Sequence, residues 1–410
     1  MISTKKKVGI FVDSRKESGG AYQELLYTID NFKKNNKNKN KFKFVIICTS
    51  KNLDLRLEKE NLELYYFSMN TIERYICYLR NFGPLIRRLK KYYFFKNKFE
   101  KFLKGINVDL VYFTGTSQYS LYLENTKFII TTPDVMHREF FEFPEFADDG
   151  EFQRKDEIFS KSLPRALAII TNAAIIKENI IKFYGVLEKR IIILNHQPSR
   201  VIEDFDKPDI HIQSKVRKKL SLPNNYIFYP AMYLSHKNHK TIIDTIELLK
   251  EKYKKSYNVL FCGNDIGYLD NLKLYASLKK VGDQITFLNF VDDEVLPYLY
   301  LDASIVLMTH ISGPTMLPPW EAFKMKVPVI HSSIKGISQV LDDCVSYIDP
   351  LDKENIAKKI IQINNDPKLK SDLINKGHKK YNSIKKENEF NKIIEVIDNY
   401  YELKKLWEKI

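Results

Sequence analysis

The segment His310-Ile311-Ser312-Gly313-Pro314-Thr315-Met316-Leu317-Pro318-Pro319-Trp320-Glu321-Ala322-Phe323 is where the chain concentrates chemistry. An apolar run gives way to a Gly-Pro-Thr turn, and a short helix bearing a carboxylate follows. Free amides at such a turn could hold a phosphate or sugar hydroxyls. Glu321 could accept two hydrogen bonds from a vicinal diol such as a ribose. A plain helix-start turn with a surface glutamate is the other reading of the same residues. Asp-x-Asp, the usual sign of a divalent cation, occurs at Asp204-Phe205-Asp206 in a polar stretch away from any strand, so no metal and no cofactor are expected. Cys48, Cys77, Cys262 and Cys344 are scattered without a Cys-x-x-Cys pair. That argues against a disulfide framework or thiolate zinc site and for a reducing, cytoplasmic setting.

The elements that must position these residues alternate regularly. Short apolar runs predict strands at 7–13, 42–48, 62–67, 110–113, 128–131, 168–171 and 191–194, with helix-length segments between them. The polar stretch 199–214 reads as a linker, and the pattern restarts with strands at 226–229, 259–262, 285–288, 303–308, 329–331 and 345–348. Helices are expected from near Ala21, over 240–254 and 270–280, and over 387–410. This is an α/β pattern of two doubly wound, Rossmann-like domains facing across a cleft. The expected division is 1–200, 201–387, and a C-terminal helix 388–410 that packs back on the first domain.

The 410 residues are 44% hydrophobic, which excludes wholesale disorder. A formal charge of +15 favours anionic partners: nucleic acid, an anionic membrane surface or phosphorylated substrates. The run Val8–Val12 is too short for a signal peptide and no stretch is long enough to span a bilayer, so a soluble protein is expected. Residues 84–104 carry eight Lys and Arg against Glu100, interleaved with Tyr and Phe. Such a helix could lie on an anionic membrane, or bury its apolar face and solvate its lysines. Nucleic acid is not expected, since no recognisable module accompanies it.

The segment around Gly313 resembles the donor-site signature of glycosyltransferase family 4, retaining enzymes of the GT-B fold, in the branch reading Gly-Pro-Thr-x-x-Pro-Pro-x-Glu-Ala. Tyr229-Pro230-Ala231-Met232-Tyr233-Leu234-Ser235-His236-Lys237-Asn238-His239 resembles the family's phosphate-binding turn. Phe287 to Leu296 resembles the loop beside the nucleotide base, and Ala168 to Asn172 with Lys182 to Val186 the last unit of the acceptor domain. Thr132-Pro133-Asp134-Val135-Met136-His137-Arg138, with Pro144-Glu145-Phe146, looks like the acceptor-side catalytic loop.

The resemblance implies transfer of a sugar from a nucleoside diphosphate to a hydroxyl of a glycan or lipid-linked acceptor, in surface polysaccharide or lipopolysaccharide synthesis. Lys237 would neutralise the donor diphosphate, and Gly19-Gly20 would let backbone amides approach it. Glu321 would bind the donor ribose, while Gly313, Pro314, Thr315, Met316 and Leu317 would present backbone to sugar and phosphate. Val291 and Leu296 would pack around the base. His137 would hydrogen-bond the transferred sugar, with Asp134 and Arg138 beside it on the acceptor side. Two positions depart from the pattern: Gly313 stands where the first glutamate of Glu-x7-Glu is usual, and Met232 where an arginine commonly precedes the lysine. A nucleotide-sugar epimerase and a non-catalytic nucleotide-sugar-binding scaffold are the alternatives.

Overall fold

The computed structural model describes residues 6–13, 20–39, 41–49, 62–82, 97–194, 198–313, 317–383 and 386–407. The chain divides into two compact units. The first comprises Met1–Arg138, Gly150–Asn195 and Lys386–Ile410, and the second Glu139–Asp149 and His196–Lys385. Residues 139–149, inside the span expected for the first domain, thus belong with the second.

The first unit is built on strands β1 (Lys6–Val12), β2 (Phe42–Cys48), β3 (Glu63–Tyr66), β4 (Val108–Phe113), β5 (Lys127–Thr131), β6 (Ala168–Thr171) and β7 (Ile191–Ile193). They form one parallel sheet in the order β3-β2-β1-β4-β5-β6-β7. Val8, Ile10 and Val12 of β1 are fully buried, as both faces of a parallel sheet must be when helices cover them. The helix Lys386–Lys404 contributes Phe390, Ile393, Ile394, Ile397 and Tyr401 to this core, a spacing that lines one helical face. Phe390 meets Phe32 edge to face at 4.6 Å, and the Tyr401 hydroxyl donates to Asp109 at 2.6 Å.

The second unit carries β8 (Tyr226–Pro230), β9 (Asn258–Cys262), β10 (Ile285–Leu288), β11 (Ala303–Met308), β12 (Val329–Ser332) and β13 (Ser346–Ile348). Their order is β10-β9-β8-β11-β12-β13, again all parallel. In both sheets the order reverses once, between β1 and β4 and between β8 and β11. Ligands of doubly wound sheets bind at the carboxyl ends of the strands flanking that reversal.

One sequence expectation is corrected. The polar stretch 199–214 is not an unstructured linker: helices Arg200–Glu203 and Ile210–Leu220 occupy it. The Asp209 carboxylate caps the second by accepting from the amides of His211 and Ile212. Val216 alone of that helix is buried, while Ile210 and Ile212 are exposed, so it carries no apolar stripe to read.

The described end of the basic segment is a packed helix, Lys98–Gly105. It buries Phe99 and Leu103, turns Lys101 and Lys104 to solvent, and binds the amides of Glu124, Asn125 and Thr126 through Glu100. Residues 84–96 of that segment lie outside the described residues.

Candidate active site

The turn after β8 carries Lys237. Asn238 closes it in the left-handed conformation (φ 58°), which asparagine tolerates, and begins the helix His239–Glu251. The free amides of that helix's first turn therefore open beside a lysine, a combination suited to an anion. The turn is fastened to its neighbours. The Tyr229 hydroxyl donates to the Lys237 carbonyl at 2.7 Å, and the Thr309 hydroxyl donates to the Asn238 carbonyl at 3.2 Å. Asn238 Nδ2 donates to the carbonyls of Thr309 and Pro350, and the Ile311 amide to the His236 carbonyl at 2.8 Å. Residues 235–239 and 309–311 thus form one braced ledge at the carboxyl ends of β8 and β11. Gly263, at the end of β9, lets this backbone pass: a Cβ there would lie 2.0 Å from the Ala231 carbonyl oxygen.

Three buried imidazoles near Lys237 have depressed pKa values. His239 lies among the rings of Tyr229, Tyr233 and Phe261, and burial with the Lys237 charge depresses its pKa to about 3. His310 and His331 meet at 4.7 Å, nearly perpendicular and fully buried. Burial holds His331 at about 4 and His310 well below its usual range, with Lys237 acting in the same direction on both. These three rings therefore add no positive charge to the ledge.

His236 is gripped from the segment 139–149. Its backbone amide donates to Glu145 Oε1 at 2.9 Å, and its Nδ1 lies 2.5 Å from the same oxygen. Burial alone would raise the Glu145 carboxyl, but these bonds outweigh it and bring it to about 2. The sequence placed Glu145 in a loop after β5, and nothing in its spacing linked it to a turn some ninety residues on.

Glu321 stands on the helix Pro318–Lys324, whose first residue is a proline fitted to a helix start. Its carboxylate is buried, accepting from the Tyr300 hydroxyl at 2.6 Å and the Ser199 amide at 3.3 Å, one on each oxygen. Burial pushes its pKa up while the bonds from Ser199 and Tyr300 pull it back. Each oxygen keeps a further lone pair, so a diol can still be accepted. The surface-glutamate reading is excluded by this burial. Gly313 precedes it at φ 88°, a conformation that favours glycine. Leu317 is half-buried, and its carbonyl receives the Glu321 amide. Pro314, Thr315 and Met316 lie outside the described residues. Val291 and Leu296 are half-buried, packed against the core on the segment after β10, and Leu296 opens the helix that carries Tyr300.

In the first unit, Gly20 begins the helix Gly20–Lys39, the next described element after β1, while Gly19 lies outside the described residues. His137 is buried, and its Nε2 lies 2.9 Å from the Tyr184 hydroxyl. Asp134 accepts from the Met136 amide at 3.2 Å, a bond that starts the short helix Met136–Glu139. Arg138 grips Asp156 with Nε and Nη2, both at 2.6 Å. Asp156, Tyr300 and Ser199 were missed in sequence, and Glu145 and Tyr184 fell in segments quoted for the resemblance without these partners, because each acts through a fold contact and not through a motif.

Residues 212–380 match the family described as glycosyl transferases group 1. The O-antigen chain mannosyltransferase RfbU of Salmonella typhimurium is 25% identical over 206 residues, covering 50% of this chain and 53% of that one. The O-antigen chain mannosyltransferase B of Escherichia coli is 24% identical over 225 residues, covering 54% and 58%. The chain spans about half the length of these relatives. Among solved structures, Anabaena HepE in complex with UDP and glucose superposes with a TM-score of 0.71 at 16% identity, covering 96% of this chain and 100% of that one. That likeness bears out the two-domain Rossmann-like α/β fold.

Proposed function

We propose that this chain is a retaining glycosyltransferase of family 4 type, moving a hexose from a nucleoside diphosphate to a hydroxyl of a glycan or lipid-linked acceptor in surface polysaccharide or lipopolysaccharide synthesis. The observation that carries the reading is a coincidence of place. The span matching glycosyl transferases group 1 contains both the Lys237 ledge and the Glu321 helix, and the ledge sits where β8 and β11 reverse the strand order. The names of the O-antigen relatives make mannose the first sugar to try.

In this reading the donor diphosphate lies on the amides and ammonium of the Lys237 turn, and Glu321 accepts from the ribose diol. The acceptor hydroxyl bonds to the anomeric carbon as the bond from that carbon to the phosphate oxygen breaks. The bonding electrons leave on the diphosphate, which takes the hydroxyl proton on the same face. Lys237 stabilises the charge that develops on the departing oxygens. His137 holds the transferred sugar, and Asp134 and Arg138 flank the acceptor. The proposed setting is the cytoplasmic face of a membrane, approached by the basic stretch 84–104. Among the described residues no helix is long and apolar enough to cross one.

The test is release of nucleoside diphosphate from a panel of UDP-, GDP-, ADP- and dTDP-sugars, with and without a membrane lipid extract. Release from one donor, stimulated by the extract and reduced about 100-fold in Glu321→Ala, is the expected result. Isomerised donor with no diphosphate released would identify an epimerase instead. Binding without turnover under every condition would identify a scaffold.

A further inference from the structure

His137 ends a chain of polar groups contained in the first unit, and that chain has one self-consistent set of proton positions. Arg138 donates to both oxygens of Asp156 at 2.6 Å, so each of them serves as an acceptor. The Tyr184 hydroxyl lies 3.1 Å from Asp156 Oδ1 and 2.9 Å from His137 Nε2. It has a single proton, and the carboxylate is the stronger acceptor. With that proton given to Asp156, the phenol oxygen must accept from the ring, so Nε2 carries hydrogen. The reverse arrangement would set phenol and carboxylate lone pairs against each other at 3.1 Å. A direct bond from His137 to Asp156 is not made, the separation being 3.8 Å.

We propose that Tyr184 and Asp156 are positioning residues that lock His137 as the Nε2–H tautomer, leaving Nδ1 as an unprotonated acceptor for a hydroxyl of the transferred sugar. The use assigned to Nδ1 rests on the glycosyltransferase reading; the lock itself does not. The surroundings keep the ring neutral. Burial between the rings of Phe152 and Phe159 depresses its pKa to about 4, with Lys155 and Arg138 acting in the same direction and Asp156 opposing them. Burial and Asp156 hold the Tyr184 phenol well above its usual value, so its proton stays available for the carboxylate. An acceptor nitrogen selects a donating group, so the position His137 reads must be a hydroxyl and not an ether or a fluorine.

The experiment is long-range proton–nitrogen NMR on the full chain labelled with nitrogen-15 histidine, the His137 signals being those lost in His137→Gln. At pH 7 the expected ring has Nδ1 unprotonated and Nε2 protonated. In Tyr184→Phe, whose fold is checked by its circular dichroism and melting curve, a mixture of tautomers is expected. That variant should also lower kcat about tenfold, with donor KM changed less than twofold. An Nδ1–H ring in the unaltered protein would overturn the lock, as would unchanged ring signals in Tyr184→Phe. A locked ring in a chain that turns over no nucleotide sugar would uphold the lock and defeat the glycosyltransferase reading.

Discussion

At the scale of single residues, the two buried groups argued to meet the donor are held by partners far away in sequence. Glu321 keeps its position through Tyr300 and Ser199, so Tyr300→Phe removes a charge-assisted bond and leaves a buried carboxylate oxygen less satisfied. The expected cost is about 1–3 kcal/mol, read by urea unfolding, together with a further rise of the Glu321 pKa. An unchanged unfolding midpoint would show that the Tyr300 bond contributes nothing. Lys237→Ala is expected to lower kcat/KM by about 100-fold or more, through loss of charge opposite the departing diphosphate, with little effect on stability. Its side chain was legible in sequence because a strand, a turn and a helix follow one another around it. The partners of Glu321 and His137 were not legible. A hydroxyl supplied by Tyr300 or Tyr184 has no local spacing that distinguishes it from the chain's other tyrosines, and only the fold selects it.

At the scale of elements, the ledge made by 235–239 and 309–311 depends on close backbone approach at Gly263. A methyl group there would meet the backbone of Ala231 and Met232, which cannot yield as a flexible side chain could. Gly263→Ala is therefore expected to destabilise the second unit by about 1–3 kcal/mol and to weaken donor binding by shifting the Lys237 turn. Calorimetric titration with nucleoside diphosphate beside a denaturation curve would read both effects. Wild-type values in both would show that the turn yields without loss. The strands themselves were legible to within two residues at each end, because parallel strands buried on both faces appear as uninterrupted apolar runs, as in 226–229 and 303–308. The helix Ile210–Leu220 was not, because it buries Val216 alone and has no stripe. Its capping residue Asp209 was the one local signal present. The association of 139–149 with the second unit was likewise illegible, since it follows from the grip of Glu145 on His236 and not from any pattern in the loop.

At the scale of the whole molecule, both units bury neutral histidines, and this sets the response to acid. The unfolded chain takes up protons on these rings near pH 6.5, whereas His137 and His331 in the folded chain do so at about 4 and His239 at about 3. Between those values the unfolded state binds more protons, so stability falls as pH is lowered from 6.5 towards 4. Glu145, depressed from 4.5 to about 2, adds a loss in the same direction at lower pH. Glu321, Asp13 and Glu24 act oppositely: burial raises all three, Glu24 to about 7, which favours the folded state at low pH, and that contribution is lost as pH rises through the folded value of each. Among the described residues His310 adds a fourth depressed ring and Glu63 a second carboxyl held at about 2, so the losses outnumber the gains from the three raised carboxyls and the net is acid sensitivity. Melting curves should fall steadily below pH 6.5, and a flat midpoint from pH 7 to 4 would contradict it. The central claim, transfer with retention, is tested most directly by the product. With the donor found in the panel and a lipid-linked glycan acceptor, NMR of the new linkage is expected to show the anomeric configuration of the donor sugar. An inverted linkage would contradict the account, and so would consumption of donor with no sugar attached to the acceptor.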